Sequence, residues 1–226
     1  MIIYAGDIHG DVDSVASIDR EAAKAGVSTV VQVGDFGWAW PGRECAISKY
    51  FQKRNRQGRP GPRWITCGGN HDNWCKIFAL ESEQGVGLVE LAPGCFYASR
   101  GSVHTIDGKA HIFMGGAEST DKHMRVEGIS WWAEETPSYK EFSMFADNYE
   151  NLLPEVVVAH DVPLRVNVHR LGRESQPTPR NFHNIMKNSG HVPRLYAYGH
   201  HHTLSNEMID GTEFICCGLH GEFQSR

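Results

Sequence analysis

No run of apolar residues in this chain approaches the roughly 20 needed to cross a bilayer, so a membrane-spanning protein is not expected. The sequence opens directly into a strand-like run, with neither a basic leader nor a small-residue cleavage site, so no secretory signal is read. Positive charge is also short: 22 Lys and Arg face 27 Asp and Glu in 226 residues, a net charge of -5. Such a balance disfavours unspecific binding to long nucleic acids, although bound metal ions could supply local positive charge for a nucleotide. A disulfide framework is missing too. The cysteines Cys45, Cys67, Cys75, Cys95, Cys216 and Cys217 are irregularly spaced, with one adjacent pair, and read as reduced thiols of a cytoplasmic protein. Cys67, Cys216 and Cys217 lie in apolar runs and read as core residues. With no internal repeat, low-complexity tract or linker, residues 1–226 read as one domain. Histidine, by contrast, is plentiful at 13, and its placement carries information.

Short apolar runs end in glycine-rich loops along much of the chain. Ile2 to Ala5 is followed by Gly6-Asp7-Ile8-His9-Gly10. Asp11 to Ala25 has helical spacing at Val15, Ile18, Ala22 and Ala25, with Asp11 as cap and Gly26 as stop. Thr29 to Val33 ends in Gly34-Asp35, a helix is expected over Arg43 to Arg56, and Trp64 to Cys67 ends in Gly68-Gly69-Asn70-His71-Asp72. This β-α-β-α-β series implies a mostly parallel sheet with right-handed crossovers. From Gly87, alternating runs around Val89, Phe96, Val103 and Ile112, with a turn at Asp107-Gly108, predict antiparallel strands in a second sheet or an extension of the first. Glu118 to Pro137 has no clear period, Ser138 to Tyr149 predicts a helix, and Glu155 to Ala159 predicts a strand ending in His160. After an irregular stretch from Val162 to Pro179, a short helix is expected near Phe182 to Lys187. Leu195 to Tyr198 is a strand ending in Gly199-His200-His201-His202, and two strands around Met208 and Ile215 close the chain.

Each strand end delivers metal-ligand chemistry: Asp7 and His9, Asp35, Asn70 and His71, His160, then His200 and His202. In parallel α/β sheets, ligands bind beyond the carboxyl ends of the strands. Carboxylate, imidazole and amide donors without thiolate suit manganese, iron or zinc, not a structural cysteine-zinc site. Even with His71 set aside, seven donors are too many for one ion and fit two ions sharing a carboxylate. A pair of ions ~3.5–4 Å apart is suited to in-line displacement at phosphorus.

In order, the blocks Asp7-Ile8-His9, Gly34-Asp35, Gly69-Asn70-His71-Asp72, His160 and Gly199-His200-His201-His202 resemble the calcineurin-like metallophosphoesterase superfamily. The resemblance implies an α/β fold of two stacked mixed sheets flanked by helices, a four-layer sandwich. It also implies that Asp7, His9, Asp35 and His202 hold one divalent ion, and that Asp35, Asn70, His160 and His200 hold a second. A hydroxide between the ions would attack phosphorus, His71 would protonate the leaving oxygen, and Asp72 could orient that imidazole. The run Gly34-Asp35-Phe36-Gly37-Trp38-Ala39-Trp40 lacks the Asp-Arg pair that follows this block in serine/threonine protein phosphatases of the superfamily. Segments 115–122 and 130–135 look like small phage and bacterial metallophosphoesterases.

These features predict a manganese-preferring, two-metal hydrolase of small phosphodiesters, nucleotide-like substrates included, with no partner in membranes or long nucleic acid. A small-molecule phosphomonoesterase is the alternative within the same chemistry. A non-catalytic scaffold for protein partners is the alternative of another class, although such a scaffold is expected to have lost ligands or the acid histidine. Trp38, three residues past Asp35, is the stacking candidate among Trp38, Trp40, Trp131 and Trp132, and Arg125 is the phosphate-contact candidate. Packing beneath loops is the competing reading for the tryptophans, and solvation for the arginine. His201 alternates away from its neighbours and reads as pointing outward or into contacts behind the ligands. His220 could reach the site, whereas His104, His111, His123, His169, His183 and His191 read as non-ligands.

Overall fold

Two six-stranded sheets, strands numbered in chain order, form the centre of the computed structural model, which describes residues 1–40, 46–59, 61–166, 173–220 and 222–226. The first sheet runs, in spatial order, β12 (Phe223–Ser225), β1 (Ile3–Ala5), β2 (Thr29–Gln32), β3 (Arg63–Thr66), β5 (Cys95–Ala98) and β4 (Leu88–Ala92). The second runs β10 (Leu204–Ile209), β11 (Thr212–Cys217), β9 (Leu195–Tyr198), β8 (Val156–Ala159), β7 (Lys109–Met114) and β6 (Val103–Ile106). In each sheet the four central strands are parallel, and antiparallel partners occupy the edges.

Strand alternation assigns the layers. On β1, Tyr4 faces the cluster between the sheets, with Val31, Ile65, Phe113, Val158 and Ala197, while Ile3 and Ala5 face outward. That outer face is covered by α1 (Val12–Ala25), α2 (Ala46–Arg56) and α3 (Trp74–Gln84) through Val15, Ile18, Phe51 and Trp74. On the second sheet, Val157, Tyr196 and Phe214 face α4 (Tyr139–Leu152) and α5 (Pro177–Ser189) through Phe145, Tyr149 and Phe182. The result is the predicted four-layer α/β arrangement of helices, sheet, sheet and helices. Among the described residues, no helix is long and apolar enough to cross a membrane.

Several local differences have physical causes. Helix α3 was not expected; only Trp74 and Ile77 are buried along it, so little periodicity is visible in the sequence. Helix α5 begins at Pro177 instead of near Phe182, because Pro177 and Pro179 occupy its first turn, where a missing N–H costs nothing. Strand β12 is a short addition that pairs antiparallel with β1. Of the helix expected over 43–56, residues 43–45 lie outside the described residues. The helices beside the site are firmly started: Asp11 accepts from the Asp13 N–H at 3.0 Å, and Ser138 and Glu141 form a capping box.

Candidate metal centre

The carboxyl ends of β1, β2, β3, β8 and β9 converge, and glycine lets their loops touch. A Cβ at Gly69 would collide with the Asp35 carboxylate, and one at Gly199 with that of Asp7. The glycine ahead of one candidate ligand thus makes room for a candidate ligand from another strand. A buried side chain, Gln32, ties the loops together. Its amide donates to Gly6 O at 2.9 Å, and its carbonyl accepts from Gly34 N at 3.0 Å and Thr66 Oγ1 at 2.6 Å. The cue for this clip was a glutamine inside an otherwise apolar run. His9, Asp35, His200 and His202 all have positive φ, at 49°, 54°, 64° and 53°. Such conformations cost non-glycine residues roughly 1–3 kcal/mol each and concentrate at functional sites.

Asp7, His9, Asp35 and His202 form a first group, with one donor atom from each lying within 4.8 Å of the others. His202 Nε2 is 3.1 Å from Asp7 Oδ2, and His9 Nε2 is 3.8 Å from Asp35 Oδ2. The second group shares Asp35: His160 Nε2 lies 3.5 Å from Asp35 Oδ2 and 2.9 Å from Asn70 Oδ1. The His200 ring is 5.0 Å from that of His160, and its backbone N–H donates to both Asp7 oxygens at 3.2 and 3.1 Å.

The chemistry of the second group fits a cation. His160 Nδ1 lies 2.8 Å from Val33 O, so the ring proton belongs there and the Nε2 lone pair faces inward. Asn70 Nδ2 donates to Ser119 Oγ at 2.9 Å, which turns Oδ1 toward the same spot. Two lone pairs and the Asp35 carboxylate therefore meet in a buried place, an arrangement that calls for a proton or a metal ion. Burial alone would lower the His160 pKa, but the charge and hydrogen bond of Asp35 push it up to about 10. Burial would likewise raise the Asp35 pKa, and the surrounding His160, His71 and His9 hold it well below the usual carboxylate range.

Residues missed in the sequence hold Asn70. The Ser119 hydroxyl donates to Glu135 Oε2 at 2.6 Å, and the Ser119 N–H to Glu135 Oε1 at 2.7 Å. With its proton committed to Glu135, the Ser119 oxygen is left to accept from Asn70. Both residues fall in the aperiodic 118–137 stretch, where no spacing announces such a contact.

His71 stands at the rim with its side chain 22 % exposed, and its N–H donates to Asp35 Oδ1 at 2.7 Å. Burial lowers its pKa, opposed by Asp35 and reinforced by Arg125. The expected orienting role of Asp72 is corrected: its carboxylate does not reach the His71 ring. It accepts instead from the backbone N–H groups of Phe36, Gly37 and Gly69 at 3.2, 2.8 and 2.8 Å. Asp72 thereby clasps the loops bearing Asp35 and Asn70, while burial and the Asp35 charge push its own pKa up to about 6. The group beside the His71 ring is Arg125, whose guanidinium contacts both ring nitrogens. The same guanidinium pairs with Asp121 at 2.8 and 2.7 Å and donates to Ser130 O at 3.1 Å.

Trp38 is a second correction. It is 9 % exposed and belongs to the apolar cluster beneath the helices, whereas Trp40 reaches the site. The Trp40 indole N–H donates to His71 O at 2.7 Å. Of its two readings, outward or inward, His201 follows the second: its ring meets buried Asp161 at 3.1 Å. His220 lies beside His9, with ring centroids 6.1 Å apart. His104, His111 and His191 bond elsewhere, to Ser102, Tyr4 and Pro154, and His169 lies outside the described residues. A cavity of about 300 Å³ opens over Asp35, Asn70, His200 and His202 and is bounded by His71 and Arg125.

A two-sheet sandwich with carboxylate and imidazole donors at converging strand ends defines a class, the metal-dependent phosphoester hydrolases. The chain belongs to the calcineurin-like phosphoesterase family, whose family model matches residues 1–204. No curated protein sequence matches it. Among solved structures, it is similar in fold to TT1561 of Thermus thermophilus, with a TM-score of 0.64 and 14 % identity over 98 % of this chain and 90 % of that one. It is also similar to the phosphopantetheinyl hydrolase of Mycobacterium tuberculosis, with a TM-score of 0.53 and 14 % identity over 98 % and 90 % of the two chains. GAP50, described as the anchor in the inner membrane complex of Plasmodium, gives a TM-score of 0.56 and 15 % identity over 96 % and 70 %.

Proposed function

We propose that the protein hydrolyses small phosphodiesters, nucleotide-like ones included, with two divalent ions, manganese favoured over iron or zinc. Asp7, His9, Asp35 and His202 would hold one ion, and Asp35, Asn70, His160 and His200 the other. The carrying observation is that Asp35 Oδ2 faces both groups, 3.8 Å from His9 Nε2 and 3.5 Å from His160 Nε2. Ions bound there supply positive charge for the phosphoryl oxygens and an activated water.

The chain's own residues do the rest. His71, fixed by its N–H bond to Asp35 and by Trp40 on its carbonyl, would give its proton to the leaving oxygen. Arg125 borders the same cavity and would turn N–H groups from the His71 ring to a phosphoryl oxygen. Among the described residues, Arg125 is the sole lysine or arginine lining that cavity, and Asp121 already pairs with it. Beyond what the ions would supply, the side chains thus add little free positive charge, which supports a singly charged diester over a doubly charged monoester. A cavity of about 300 Å³ is at the small end for ligand sites and favours a small substrate over a phosphoprotein.

We read residues 1–226 as one catalytic domain, supported by the pairing of β12 with β1. A cytoplasmic setting is supported, among the described residues, by the free thiols of Cys67, Cys75, Cys216 and Cys217. The test is manganese-supplemented hydrolysis of an aryl phosphodiester beside the matching monoester, with a chelated control. Metal-dependent turnover preferring the diester is expected. Preference for the monoester would replace this reading with a phosphatase.

A further inference from the structure

A second cavity, of about 260 Å³, adjoins the metal-side cavity and shares His71 and Arg125 with it. Its remaining lining is of another kind: Trp40, Ile129, Ser130 and Trp132. The donor groups of the metal-side cavity are absent from this lining. Of the two shared residues, the proposed reaction places His71 beside the leaving oxygen and Arg125 beside a phosphoryl oxygen. Resting on that reading, we infer that this cavity is the leaving-group subsite, and that it takes a flat, uncharged aromatic ring.

Chemistry and size select this occupant. The one charged side chain of the lining, Arg125, is already paired with Asp121, and Trp40, Trp132 and Ile129 offer apolar surface, so a charged or strongly hydrated leaving group would lose most of its water without replacement. A flat ring keeps its apolar faces in contact with such a surface. The volume is below the roughly 300–1,000 Å³ of sites for drug-sized ligands, which suits a single ring system. Ile129 is 57 % exposed, which leaves a large apolar side chain at the mouth with contact surface to spare. Trp40 is positioned for this duty because its N–H bond to His71 O fixes the indole beside the acid group. Ring placement and proton delivery are therefore set by one contact. The reaction balances as a hydrolysis: water adds to phosphorus, the P–O bond to the ring-bearing group breaks, and that oxygen leaves with one proton.

Binding and turnover together test the inference on manganese-loaded protein. Three non-hydrolysable probes are methylphosphonate, benzylphosphonate and a uridine 5′-phosphonate. Benzylphosphonate should bind about tenfold more tightly than methylphosphonate, the lower end of aromatic stacking. The uridine probe, with its ring one sugar away, distinguishes a nucleoside source from a simple aryl one. Ile129→Ser, which breaks no hydrogen bond, should reduce the ring preference several-fold without changing methylphosphonate affinity. Trp40→Phe, which retains an aromatic face, should keep more of the preference than Trp40→Ala. Equal binding of the methyl and ring probes, in protein that hydrolyses phosphoesters, would overturn the subsite alone. Failure of all three probes to bind, with no hydrolysis of any ester, would overturn the subsite and the proposed function together.

Discussion

Ser119→Ala isolates the device that aims Asn70. In the native chain, the Asn70 amide donates to Ser119 Oγ at 2.9 Å, and the Ser119 hydroxyl is committed to Glu135 at 2.6 Å. Asn70 is 3 % exposed, so water does not readily replace the lost acceptor. The missing bond is worth about 1 kcal/mol, and an unpaired buried donor costs about 1–3 kcal/mol. The amide escapes that cost by rotating, which turns Nδ2 instead of Oδ1 toward His160. Affinity for the ion shared by Asn70 and His160 should fall about 10–100-fold, the usual effect of losing a group that orients a metal ligand. Calorimetric manganese titration of stripped protein would resolve the two ions, and only one step should weaken. Ser119→Thr, which restores a hydroxyl, should recover most of the affinity. If both ions bind Ser119→Ala within about twofold of the native protein, the orienting chain has no such role.

The other predictions concern the acid, the loops and the pH response. His71→Ala should slow esters with poor leaving groups far more than activated aryl esters, and an equal loss on both would remove its proton-donor role. Gly199→Ala would drive a Cβ into the Asp7 carboxylate, with Val33 Cγ2 only 3.0 Å away. It should cost about 1–3 kcal/mol in urea unfolding and weaken metal binding; unchanged unfolding and titration curves would contradict the close approach. Burial pulls the His111 pKa from 6.5 down to about 4, with Tyr4 OH on one nitrogen and Lys109 O on the other. Its neutral form is favoured by folding, so this stabilisation is complete above pH 6.5 and is lost as pH falls toward about 4. At pH 5 the loss should be about 2 kcal/mol. His111→Gln should flatten that part of the urea-measured pH profile, and an identical profile would refute the assignment.

The gathering of the candidate ligands at one edge was legible because each follows a strand, and a parallel sheet sends all such ends to one edge. The layered fold was legible through the resemblance of the blocks holding these residues to the family, with which the switch from βα units to glycine-rich hairpins agrees; the sides taken by Tyr4 and by its neighbours Ile3 and Ala5 then follow from strand alternation. Contacts made by irregular segments were not legible. Past Asp35 the chain has no fixed parity, so nothing in Trp38-Ala39-Trp40 tells which indole packs inward and which reaches His71. Asp72 follows His71 directly, yet its carboxylate turns to the backbone N–H groups of Phe36 and Gly37 on another loop. Ser119 and Glu135 are joined by a hydrogen bond spanning 16 residues without periodic structure. Helix α5 was misplaced because proline reads as a breaker unless the first turn is known to begin there.

The central claim is that two ions, sharing Asp35, are needed for hydrolysis. The most direct measurement titrates manganese into stripped protein while turnover of an aryl phosphodiester is followed in the same samples. Turnover should stay low through the first equivalent per chain and rise through the second, and Asn70→Ala should shift only the second rise to higher concentration. Full turnover at one equivalent, or turnover indifferent to metal, would contradict the two-ion account.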